Sequence, residues 1–123
     1  MKTHLFKTIE TVVCEHFGTT PQAIAKRNRL TPLRKSRQYV YYFCKSMFNE
    51  CGNKDNEMSL SWIAANYGQD HATVSHAFKT VNNDAETCQS DRETLIILTD
   101  KINYALKNEM RESHPLPVEQ FGK

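Results

Sequence analysis

Apolar residues in this chain recur every three or four positions from one end to the other, and that spacing admits helices and little else. Val40, Phe43, Cys44, Met47 and Phe48 fall at i, i+3, i+4, i+7 and i+8, one stripe of a helix that begins at Thr31-Pro32. Leu5, Phe6, Ile9, Val12, Val13 and Phe17 give an earlier helix, with Thr3 as its cap and Gly18 as its stop. Thr20-Pro21 restarts a short one, because proline at the first helical position loses no needed donor. Ala23, Ile24 and Ala25 carry it into the basic run Lys26-Arg27-Asn28-Arg29. A polar loop, Glu50 to Glu57, precedes Ser59, which caps a helix through Leu60, Trp62, Ile63 and Tyr67 that stops at Gly68. Asp70 opens the next helix, with Val74, Ala77, Phe78 and Val81 as its inner face. Asn82-Asn83-Asp84 is expected to break it, and Asp84 to cap a last helix to about Met110 that buries Leu95, Leu98, Ile102, Ala105 and Leu106. The reading is an all-α fold, one compact domain of about six helices over residues 1–112. A flexible tail over 113–123 follows, marked by His114-Pro115-Leu116-Pro117.

Composition narrows the function classes. With 123 residues, 39% of them hydrophobic, the chain can build one core and not two. Four glycines and four prolines are too few for a collagenous or turn-rich β chain. No apolar run approaches the ~20 residues that cross a bilayer, and Met1-Lys2-Thr3-His4 leads into an amphipathic pattern, not a signal core. The expectation is a cytoplasmic protein with no membrane partner. Cys14, Cys44, Cys51 and Cys88 lack the close pairs of a zinc site, and Cys14 and Cys44 sit on apolar helix faces as small hydrophobes. Two disulfides in a secreted protein are the alternative. Cys14-Glu15-His16 point to different sides of a helix, and no serine, histidine and acid share a strand-turn-helix setting. No catalytic residue, metal or cofactor is implied.

A net charge of +2 hides a strong asymmetry. Between His16 and Asn49 there is no acid, while Lys26, Arg27, Arg29, Arg34, Lys35, Arg37 and Lys45 all fall there. From Asp84 to Glu112 acids outnumber bases. A one-signed block is an electrostatic footprint for a polyanion, with a merely solvated basic face as the alternative.

Two short helices joined by a glycine-bearing turn make a helix-turn-helix, whose second helix offers its first residues to base edges. Here that helix starts Asp70-His71-Ala72-Thr73-Val74-Ser75-His76-Ala77, and its outer face carries short side chains that let the backbone enter a groove. Asp70 can accept from an exocyclic amine, His71 can donate to a purine acceptor, and the Ala72 and Thr73 methyls can pack on a thymine methyl. A plain helix cap at Asp70 with surface histidines is the alternative. Trp62 reads as helix packing more than as a base-stacking platform, while Tyr41 or Tyr42 is expected to be exposed, at a partner surface.

At these residues the chain resembles the C-terminal DNA-binding domain of the bacterial replication initiator DnaA. The run Ser59-Leu60, Ile63 and Tyr67-Gly68-Gln69-Asp70-His71-Ala72-Thr73-Val74-Ser75-His76-Ala77 is similar to that family's S-L-P-E-I-G-x-x-F-G-x-R-D-H-T-T-V-x-H-A pattern. Arg37-Gln38, an apolar stretch and Lys45 follow its arginine-glutamine helix, and Lys26 to Arg29 fall at its basic loop. The resemblance covers about Thr3 to Asn83. It implies double-stranded DNA as partner, at short, asymmetric, A·T-containing boxes. Asp70, His71, Ala72, Thr73 and His76 would face the major groove. The basic loop of Lys26, Arg27 and Arg29 would reach the adjacent minor groove, and Arg37, Gln38 and Lys45 would serve phosphates or the scaffold, with Arg34, Lys35, Ser59 and Lys79 as further phosphate contacts.

The departures are Ala72 for threonine, Gln69 for arginine, Ser61 and Trp62 for proline and glutamate, and Ala64 for glycine. The turn is one residue shorter, and the loop from Glu50 to Met58 is expanded. The family's initiators are AAA+ ATPases, which need G-x-x-x-x-G-K-[ST], and no glycine pair here has that spacing. The chain is expected to be a free-standing domain, which Met1 favours, or a fragment, and not an enzyme. The functional expectation is sequence-specific duplex binding in replication initiation, its regulation or transcription control. The alternative is a protein-interaction module on the same fold, docked through the acidic last helix. The sequence leaves the oligomeric state open.

Overall fold

The computed structural model describes residues 2–26, 31–52 and 54–112. Six helices follow in order: α1 (Lys2–Phe17), α2 (Pro21–Ala25), α3 (Thr31–Phe48), α4 (Leu60–Ala65), α5 (His71–Thr87) and α6 (Gln89–Glu112), with no strand among the described residues. The expected basic-loop residues Arg27 and Arg29 and the tail at 113–123 lie outside them. No helix of the described residues is long and apolar enough to cross a membrane.

The central helix is α3, which packs against α1, α2, α4 and α5, while α6 lies across α1 and α5. That position explains why the apolar run Tyr39 to Cys44 has no clean polar side. Tyr39, Val40, Tyr41, Phe43 and Cys44 are all buried, and only Tyr42 of the run is partly exposed. The expectation of an exposed tyrosine therefore fails at Tyr41. Around α3 the core gathers Phe6, Ile9 and Val13 of α1, Ile24 of α2, Ile63 of α4, Val74 and Val81 of α5, and Leu98 and Ile102 of α6. Leu95, Ala105 and Leu106 are only half-buried. Cys14 and Cys44 are unpaired core thiols, and burial pushes both up from the ordinary thiol range.

Two helices end in the same way. At Gly18 (φ 69°) the Thr19 amide donates to the Cys14 carbonyl at 2.9 Å and the Gly18 amide to Glu15 at 3.4 Å. At Gly68 (φ 67°) the Gln69 amide reaches Ala64 at 3.0 Å and the Gly68 amide reaches Ala65 at 3.2 Å. Both are left-handed helix stops that satisfy the last carbonyls, which is why glycine stands there. Thr20 and Ser59 cap α2 and α4, accepting from the Ala23 and Trp62 amides at 3.1 Å each. Thr3 lies inside α1 and is not its cap.

Asn82-Asn83-Asp84 does not break the helix. α5 continues to Thr87, and the chain turns at the extended Cys88 (φ −131°, ψ 119°), whose amide donates to Asp84 at 2.8 Å. The Arg92 side chain then reaches back to the open carbonyls of Ala85 (3.0 Å) and Glu86 (3.4 Å). The poor helix propensity of asparagine and aspartate, a few tenths of a kcal/mol each, is small beside carbonyls capped by a guanidinium.

Candidate nucleic-acid interface

The short turn at Gly68 delivers the chain directly into the N-terminus of α5. Asp70 is the cap: its Oδ1 accepts from the Thr73 amide and from the Thr73 hydroxyl, both at 3.2 Å. That leaves one carboxylate oxygen at the exposed tip of the helix and engages the threonine hydroxyl inside the protein. Val74, Ala77 and Val81 are buried and hold α5 to the core. On the opposite arc His71, Ala72, His76 and Lys79 are exposed, while Thr73 is half-buried at the flank. Of the five residues assigned to the major groove, four therefore share an accessible tip and outer face with Lys79. Thr73 reaches that tip with less of its side chain.

The basic residues divide by what already holds them. Lys35 pairs with Asp91 of α6 at 2.9 Å. Arg37 donates through Nη1 to the carbonyls of Ile24 (2.9 Å) and Lys26 (3.0 Å), tying α3 to the start of the basic loop. The Lys45 ammonium sits 4.2 Å over the Phe78 ring, which also stacks on Tyr42 at 5.0 Å and 16°. These three contacts place Lys35, Arg37 and Lys45 in the scaffold as well as in the positive field. Lys26 and Arg34 are exposed, Gln38 is half-buried, and Ser59 is exposed beside the α4 cap it forms.

Sequence reasoning missed two contacts that set the turn. Glu10 of α1, only 5% exposed, accepts a 2.6 Å hydrogen bond from the hydroxyl of Tyr67, the last residue before Gly68. Burial, then the bond to Glu10, pushes the Tyr67 phenol far above its ordinary range. The signal was present, because Tyr67 stands where the resembling pattern has phenylalanine, and a hydroxyl in a core must find an acceptor. The second is a hydrogen bond from Tyr41 of α3 to Gln69. Trp62 packs edge-on against Phe6 at 5.8 Å with Lys2 over its ring, so it holds α4 to α1 and is not a free stacking platform.

Comparison with known proteins gives a consistent picture. The family described as bacterial dnaA protein helix-turn-helix matches residues 6–81, from α1 into α5. The chain is 32% identical over 103 residues to the chromosomal replication initiator protein DnaA of Lachnoclostridium phytofermentans, covering 83% of this chain and 21% of that protein. It is 34% identical over 96 residues to the protein of the same name from Bacteroides fragilis, covering 75% and 18%. With the one from Mycobacteroides abscessus it shares 31% over 74 residues, covering 60% and 13%. The chain thus spans about a fifth or less of the length of these relatives.

Proposed function

The chain belongs to the bacterial DnaA helix-turn-helix family, and on that premise we propose that it binds a specific double-stranded DNA sequence through the first turns of α5, in replication initiation or its regulation. The observation that carries this reading is the exposed tip of α5, where Asp70, His71, Ala72, His76 and Lys79 face outward on a helix anchored by Val74, Ala77 and Val81. Small, polar side chains on an outward helix N-terminus are what direct readout of a major groove requires. In this reading Thr73 contributes its methyl, since its hydroxyl is bonded to Asp70.

Phosphate contacts come from Lys26, Arg34, Ser59 and Lys79, with Arg27 and Arg29 continuing the basic loop whose start Arg37 holds. Lys35, Arg37, Gln38 and Lys45 shape the surface and add positive potential. A second reading, a protein-docking role for α6, is favoured by the exposure of Ile96 (57%), Ile97 (44%) and Tyr104 (67%) along its outer side.

Selection from a pool of random duplexes tests the first reading. Enrichment of one asymmetric, A·T-containing sequence supports it. Recovery of an unenriched pool, with binding that disappears at moderate salt, would leave only the protein-docking role.

A further inference from the structure

Gln69 occupies the position between the left-handed Gly68 and the cap Asp70, and it is only half exposed. Its backbone is fixed by the bond from its amide to Ala64. Its side chain is fixed too: the Tyr41 hydroxyl lies 2.5 Å from Gln69 Oε1. A buried phenol proton needs an acceptor, and Oε1 is the one within reach, so the amide oxygen faces the tyrosine and the NH2 group points the other way. Tyr41 is 1% exposed, and burial raises its phenol above the ordinary range, so it keeps its proton and acts as donor. No described residue accepts from Gln69 Nε2. Tyr41 also lies on the α3 face that carries Arg34, Arg37, Gln38 and Lys45, an arc of roughly 100° at ~100° per residue. The Tyr41–Gln69 bond therefore links the cationic side of α3 to the tip of α5.

We infer that Gln69 is a further DNA-contact residue, locked by Tyr41 so that its amide NH2 donates to a phosphate oxygen at the rim of the groove. The inference rests on the DNA-binding reading above. A phosphate is the acceptor because Gln69 precedes the helix cap, outside the first turn that enters the groove, where the strand backbone runs and where contacts fix register. Tyr41 is a positioning residue, since it is buried and cannot itself touch DNA.

The test uses the best duplex selected from the random pool, a scrambled duplex, and the variants Gln69→Ala, Tyr41→Phe and their double. Thermal melting of each variant verifies that it folds, and Gln69→Ala, at a half-exposed site, keeps the test valid if Tyr41→Phe does not fold. Each single variant is expected to weaken binding about three- to tenfold on both duplexes, the worth of one hydrogen bond. The double should lose no more than Gln69→Ala alone. Because the amide is uncharged, the slope of log affinity against log salt should stay at the wild-type value. Wild-type affinity in Gln69→Ala overturns the inference. So does a Tyr41→Phe loss that adds in full to that of Gln69→Ala, or a loss confined to one base pair of the selected site. A wild-type protein that selects no duplex fails earlier, at the DNA-binding reading itself.

Discussion

Removing one oxygen atom from Tyr67 should measurably destabilise the domain. The Tyr67 hydroxyl donates to Glu10 across 2.6 Å, and the two residues are 7% and 5% exposed. Tyr67→Phe keeps the ring, which packs on Phe6 and Tyr41 with centroids 5.8 and 5.7 Å away, so no cavity opens. What changes is the carboxyl of Glu10, which loses the hydrogen bond that accompanies its burial. An unsatisfied buried polar group costs about 1–3 kcal/mol. For a domain near this size that corresponds to a fall of about 4–12 °C in Tm, read by circular dichroism. Replacing both partners by apolar groups of similar shape removes the bond and the burial cost together, so Glu10→Met with Tyr67→Phe should recover most of the lost stability. A Tyr67→Phe protein that melts with wild type, or a double variant less stable than the single, would refute the assignment of this bond as the tie between α1 and the turn.

Burial pushes the Tyr39 phenol up to about 12, with Asp91 and Asp84 adding to it, and burial also raises Tyr41. An unfolded tyrosine ionises near 10, so this stability is complete below about pH 10 and is lost as pH rises toward 12. Phenolate absorbance should therefore rise in two phases, the second coincident with loss of helix. Phe78→Ala should cost about 1–3 kcal/mol in urea denaturation, less than the 2–5 kcal/mol of a fully buried site such as Ile63→Ala, because Phe78 is only half-buried where it meets Lys45 and Tyr42. Arg34→Glu should weaken selected and scrambled duplexes by the same factor and lower the salt slope by about one or more, whereas equal slopes would remove Arg34 from the phosphate contacts.

Which parts of this molecule are legible in its sequence depends on the range of the forces that set them. The stops at Gly18 and Gly68, the cap at Ser59 and the opening of α5 at Asp70 are local, a residue type and a bond within five positions, and each is readable. The outward arc of α5 was readable too, because Val74, Ala77 and Val81 fix by periodicity which side must face the core. The end of α5 was not, because Arg92 rather than the asparagines decides it. Nor was the burial of Tyr41, which follows from α3 being surrounded and not from its own pattern. The pairs Lys35–Asp91 and Glu10–Tyr67 join residues more than fifty positions apart, and Tyr41–Gln69 joins residues 28 apart. Spacing carries no information about such partners, so a basic residue bound in the scaffold and one free for a phosphate look alike in the sequence.

His71 is the sharpest point of the proposed base readout at the exposed start of α5. His71 is exposed and contributes nothing to the buried face of α5, so His71→Ala should retain the fold. The measurement is the ratio of affinities for the best selected duplex and a scrambled duplex of equal length at one salt concentration, in wild type and in His71→Ala. A direct base contact is worth roughly 1–3 kcal/mol of discrimination, so the ratio should fall about 5- to 150-fold in the variant while affinity for the scrambled duplex barely moves. An unchanged ratio in a folded His71→Ala protein would contradict the account at its central residue.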